Sequence, residues 1–154
     1  MNPSMAYLSQ ELASASPAKR VLMLYTRAIG ALHDAIRAIE AGDIQRRWSA
    51  NSQAVKVIEA LWITLDMDRG GEIAANLDRL YGFMLNHLLA VDIHNDPKPA
   101  KDVIALLEPL RQSWQELADR EGDTAAATSP DSAPSASGTP DSADAPPTRI
   151  IVSA

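Results

Sequence analysis

The chain has 154 residues, no cysteine and a formal net charge of −6. That length supports one domain, and the lack of thiols excludes disulfides, thiolate metal sites and cysteine nucleophiles. Residues 1–120 carry 13 basic and 15 acidic side chains and residues 121–154 carry one and five, so no basic face is available for nucleic acid. The apolar runs are too short to span a bilayer, and residues 1–10 lack the basic start and unbroken apolar stretch of a signal peptide. A soluble cytoplasmic protein without membrane insertion is expected.

Residues 1–15 form a lead in which Tyr7, Leu8 and Leu12 fit one or two helical turns, too few to stand alone. Ser16 then offers an N-cap oxygen, and Pro17 suits a first helical position, where its missing N–H has no partner to lose. The first helix is predicted to run to about residue 41 with Val21, Tyr25, Ala28, Leu32, Ile36 and Ile39 as its apolar stripe. Gly42 suits a left-handed helix end and Asp43 the cap of the next helix. That second helix, about 44–67, shows Ile44, Trp48, Val55, Ile58, Trp62 and Leu65 on one face. Gly70-Gly71 breaks the chain, and Glu72 sits where a helix dipole favours a carboxylate.

The third helix, about 72–94, has Ile73, Leu77, Leu80, Met84, Leu88 and Val91. Asp96-Pro97 and Lys98-Pro99 both signal the start of a fourth, with Val103, Leu107, Leu110, Trp114 and Leu117 as its face and Pro109 as an expected kink. From Gly122 to Thr148 every residue is Ala, Ser, Thr, Pro, Asp or Gly, a composition that buries too little apolar area to order its backbone. Arg149, Ile150, Ile151 and Val152 follow as a small apolar patch. The expected fold is all-α: an antiparallel up-down four-helix bundle at 16–121, with a short helical lead at 1–15 and a disordered tail at 122–154.

Signs of catalysis are missing. The residues three before His33, His87 and His94 are Gly30, Met84 and Val91, so the Glu-x-x-His pairs of di-iron bundles do not occur. Gly70-Gly71 lacks the Lys-Ser/Thr of a phosphate loop, and Asp66 and Asp68 lack the later ligands of a calcium loop. No enzyme, no cofactor and no metal is expected.

Apolar residues exceed what one stripe per helix requires. On a helical wheel, Val57 and Leu61 flank the stripe of the second helix on one side, Ile63 and Met67 on the other. Leu85, Leu89 and Ile93 recur every four residues off the stripe of the third, as does Phe83. Adjacent antiparallel helices would join these surpluses into one exposed apolar surface, which usually marks an interaction site. Three occupants stand open: the lead, a second copy of the chain, or a foreign amphipathic segment. Periodicity does not settle which face Trp48 and Trp62 take.

Tyr7 and Ser16-Pro17, Met23-Leu24-Tyr25, Ala41-Gly42-Asp43, Leu65-Asp66, Gly70-Gly71-Glu72-Ile73-Ala74, Asn76-Leu77, Leu80-Tyr81, Asn95-Asp96 and Ser113-Trp114 occur in that order. Together, over about residues 7–116, they resemble the flagellar secretion chaperone family, the FliS-like chaperones that escort flagellin. Thr26-Arg27-Ala28, Val91-Asp92, Pro109 and the tail depart from its pattern. The resemblance implies a cytoplasmic export chaperone that binds the disordered C-terminal region of flagellin, prevents premature polymerisation and delivers it to a component of the flagellar export gate. The apolar surplus on the second and third helices suits that client, with Val57, Leu61, Leu85 and Leu89 as the expected groove positions and Tyr81 at the edge; Tyr7, which matches the family's N-terminal tyrosine, is expected to pack near the empty groove. A monomer or weak homodimer is expected; the alternative is a homodimeric helical scaffold that uses the same surface as its self-interface.

Overall fold

The computed structural model describes Ser4, Ala6 and residues 15–127, with side chains as far as Thr124. Four helices follow one another: α1 (Pro17–Glu40), α2 (Ile44–Ile63), α3 (Gly71–His94) and α4 (Lys98–Ala127). Each packs on the helices before and after it in sequence, and α4 closes the ring against α1. This is the up-down-up-down bundle expected from four amphipathic segments with short connections. Ser4 and Ala6 are helical; Tyr7, Leu8 and Leu12 lie outside the described residues.

Local chemistry sets the boundaries. The Ser16 hydroxyl accepts a hydrogen bond from the Lys19 N–H at 3.2 Å, and Pro17 occupies the first turn. At the other end, Gly42 takes φ +68°. Its N–H donates to the Ile39 carbonyl at 3.1 Å and the Asp43 N–H to the Ala38 carbonyl at 2.8 Å, the paired bonds of a Schellman motif. The Asp43 carboxylate then accepts from the Arg46 N–H at 3.0 Å, so one residue ends α1 and starts α2.

Helix α2 stops at Ile63, four residues short of the predicted 67. The Asp66 carboxylate accepts from both the Asp68 and Arg69 N–H groups at 3.1 Å, a local side-chain turn that competes with helix. Gly70 is enforced by space: a Cβ there would lie 2.4 Å from the Ala74 Cβ and 2.8 Å from the Asp66 carbonyl oxygen. At the start of α4 the Asp96 carboxylate accepts from the Lys98 N–H at 2.9 Å. Helix α4 runs through Pro109. Proline removes the hydrogen bond to the Ala105 carbonyl, and both residues are exposed, so the loss falls where water compensates. The helix also passes Gly122 to reach Ala127, six residues into the predicted tail; residues 128–154 lie outside the described residues.

The core is centred on Tyr25, Leu32, Ile58, Leu61, Met84, Leu88, Val91, Val103 and Leu107, all under 2% exposed. The hydroxyls of Tyr25 and Tyr81 hydrogen-bond to each other across it, joining α1 to α3. Burial raises both phenol pKa values; for Tyr25 hydrogen bonds with Tyr81 and Trp114 partly offset this. The stripe predicted for α1 is buried, apart from Ile39, which packs at the core boundary.

The largest departure from expectation concerns α2. Its buried line is Arg47, Asn51, Ala54, Ile58 and Leu61, with Val57 beside it, while Ile44 and Trp48 are 63% and 57% exposed. The helix is rotated so that the predicted flank faces inward and much of the predicted stripe faces out. Helix α3 pairs the buried Arg47 guanidinium and the Asn51 amide N–H groups, while the Asn51 side-chain oxygen has no hydrogen-bond partner among the described residues. Arg47 donates to the Asp92 carboxylate at 3.2 Å and to the Asn95 side-chain oxygen at 2.6 Å. The Asn51 amide donates to the Leu88 carbonyl at 3.1 Å and to Asp92 at 2.8 Å.

Candidate binding surface

The hydrogen bonds between α2 and α3 fix their register. Trp62 lies level with Asp78 and Gly82: its indole N–H donates to Asp78 at 2.7 Å, and its ring would be 3.5 Å from a Cβ at Gly82. Asn51 lies level with Leu88 and Asp92, and Arg47 with Asp92 and Asn95. The side of α3 turned to α2 is therefore the line Asp78, Gly82, Leu85, Leu89 and Asp92, spaced by four and three as one helix face requires. The matching line on α2 is Trp48, Asn51, Val55 and Trp62.

Along this seam the side chains are graded from inside to outside. Asn51 is 2% exposed; Val55 and Leu85 are half-buried against the core; Trp48, Trp62 and Leu89 are exposed. Ile93 continues the outer edge of α3 and is also exposed. The result is an apolar strip with the Arg47–Asp92–Asn95 cluster closing one end and the Trp62–Asp78 bond near the other. A strip of this build offers apolar area without an unpaired buried charge to desolvate.

The predicted contact residues do not fall together. Leu85 and Leu89 lie on the seam, half-buried and exposed respectively. Val57, Leu61 and Tyr81 are 5%, 1% and 2% exposed. The expectation that these three present a free surface is corrected: the rotation of α2 turns Val57 and Leu61 into the core, and the Tyr81 hydroxyl is engaged with Tyr25. Tyr7 lies outside the described residues. Conversely Trp48 and Trp62, read as stripe residues, sit on the seam. Their heptad spacing with Val55 was visible in the sequence, but the same spacing describes a core line. Ile63, Met67 and Phe83 are exposed, as their off-stripe positions indicated.

The side of α3 turned to α4 carries a polar contact between the two helices. His87 Nε2 is 2.9 Å from Asp102, and the Lys98 ammonium donates to the same carboxylate at 3.2 Å. These partners, His87 foremost, hold the Asp102 pKa below the usual carboxylate range. Phe83 stacks on the His87 ring, centroids 5.1 Å apart. Among the described residues no cluster of three or more metal-ligating side chains occurs, and no helix is long and apolar enough to cross a membrane.

Residues 1–121 match the family described as flagellar protein FliS. The flagellar secretion chaperone FliS of Vibrio cholerae is 34% identical over 110 residues, 71% of this chain and 81% of that protein. The Salmonella typhimurium protein of the same name is 35% identical over 108 residues, 70% and 80% of the two chains. That of Bacillus subtilis is 28% identical over 120 residues, 78% and 89%. The matched residues include the whole α2–α3 seam and stop short of 122–154. With this fold and this span, the chain belongs to the FliS family of flagellar proteins, whose named members are chaperones and not enzymes.

Proposed function

We propose that this chain is a cytoplasmic export chaperone whose client is the C-terminal segment of flagellin, and that the α2–α3 seam receives part of it. The reading is supported by the names of the relatives, flagellar secretion chaperones, and by one physical observation. Trp48, Trp62 and Leu89 stay exposed along a single seam beside a closed core. A disordered client lays an amphipathic helix face along the strip and loses its conformational entropy at that moment. Bound in this way it cannot polymerise, yet it remains free of tertiary structure when passed to a component of the export gate.

The seam divides the work between its floor and its exposed rim. Half-buried Val55 and Leu85 form a floor that is already packed, so little of the protein must be ordered on binding. The exposed indoles supply large rigid contact area, the property that makes Trp frequent among dominant binding residues. Tyr7 and the lead belong to the same proposal as a lid over the empty strip, displaced by the longer client.

Calorimetric titration with a flagellin C-terminal peptide tests this. Leu89→Asp and Trp48→Ala are expected to weaken binding by roughly tenfold or more each, the scale of dominant interface residues, with helical content by circular dichroism unchanged. Unaltered affinity in both folded variants would remove the seam from the binding surface. Sedimentation addresses the second reading, a homodimeric scaffold: a dimer broken by Leu89→Asp would make the seam a self-interface.

A further inference from the structure

A second group of exposed apolar residues flanks the passage from α2 to α3, at one end of the bundle, and is not part of the seam line. At the end of α2, in the connection and in the first turn of α3, Ile63, Met67 and Ile73 are 83%, 50% and 73% exposed. The same stretch carries Asp66, Asp68 and Glu72 against a single Arg69, which pairs with Asp66 at 3.8 Å. Asp68 and Glu72 make no ion pair among the described residues. The corner is thus apolar with an excess of negative charge.

Its complement is present in the same chain. From residue 121 onward the only basic side chain is Arg149, and it directly precedes Ile150, Ile151 and Val152, the only branched aliphatic side chains in that stretch. Helix α4 runs antiparallel to α3, so its last turn lies at the end of the bundle that holds this corner. The 21 residues 128–148 have a covalent reach of up to about 70 Å, against roughly 36 Å for the length of a 24-residue helix. Reach is therefore ample, and a tether turns a weak apolar contact into an intramolecular one at high effective concentration.

We propose that residues 149–152 fold back onto the α2–α3 corner, Ile150, Ile151 and Val152 against Ile63, Met67 and Ile73, with Arg149 beside Asp68 and Glu72. The segment covers an exposed apolar patch next to Trp62. It lies outside the span matched by the family, so this cover is a property of this chain's own tail.

The chain has no cysteine, so Ser153→Cys gives a single site for a nitroxide label on the full-length protein. Paramagnetic relaxation is expected to reduce selectively the resonances of Ile63, Ile73 and the Trp62 indole, and to spare Ile44 and Ile93 at the opposite end. Adding Ile150→Asp and Ile151→Asp, which leave the helices untouched, should restore the lost intensity. Uniform or absent broadening, or broadening that survives the aspartates, would overturn the proposal. So would broadening seen only when the label is on a different copy from the isotope, which would assign the corner to a second molecule.

Discussion

Helices α1 and α3 are both 24 residues long, yet α1 buries eleven side chains and α3 five. Five of the eleven are alanines (Ala18, Ala28, Ala31, Ala35 and Ala38), small enough to bring α2 and α4 close on either side. Helix α3 carries bulkier residues and leaves Ile73, Phe83, Leu89 and Ile93 in solvent. One helix is spent on holding the bundle together. The other is attached by fewer, specific contacts and keeps apolar surface in reserve, where substitutions at its outer residues are expected to leave the fold intact.

That contrast can be broken by substitution, starting with the largest effect. Leu61→Ala deletes a core side chain 1% exposed, and urea unfolding should show a loss of about 2–5 kcal/mol. A loss under about 0.5 kcal/mol, the usual size for a surface site, would return Leu61 to the exposed flank. Asp92→Ala strips the carboxylate from Arg47 and Asn51; it should cost about 2–3 kcal/mol and loosen α3 from α2 before the rest of the bundle, visible by amide exchange in α3.

Tyr81→Phe takes from the Tyr25 hydroxyl one of its two partners, leaving Trp114, and should cost about 1–2 kcal/mol, whereas Phe at both positions should recover part of that. Because burial raises both phenols, the neutral pair stabilises the fold below about pH 10 and that contribution is lost as pH rises above it. Leu89→Ser should be nearly silent, within about 0.5 kcal/mol, while binding of the flagellin peptide falls. The smallest effect concerns Asp102. Its lowered pKa stabilises the fold above about pH 4 and the contribution fades as pH falls through the folded value, so Asp102→Asn should flatten the acid limb of a urea midpoint series.

The sequence carried the architecture because its punctuation is chemical. Ser16-Pro17, Gly42-Asp43, Gly70-Gly71 and Asp96-Pro97 each form the cap or turn their residue types favour. It did not carry the rotation of α2. Trp48, Val55 and Trp62 make the strongest apolar period in that segment, while the buried line opens with Arg47 and Asn51. Those two are buried only because Asp92, Asn95 and the Leu88 carbonyl lie opposite on α3, and partners 37 to 48 residues away are not visible in a helix's own pattern. The surplus on α3 was legible, since Leu85, Leu89 and Ile93 lie off its stripe whatever the neighbour does.

Methyl and indole NMR of the full-length chain, titrated with the flagellin C-terminal peptide, reports the occupied face residue by residue. Shifts are expected in Leu85, Leu89, Ile93 and the Trp48 and Trp62 indoles, with Leu32 and Val103 in the core unmoved. Shifts confined to the α1–α4 side, with the Trp48 and Leu89 signals unchanged at saturation, would contradict binding at the seam.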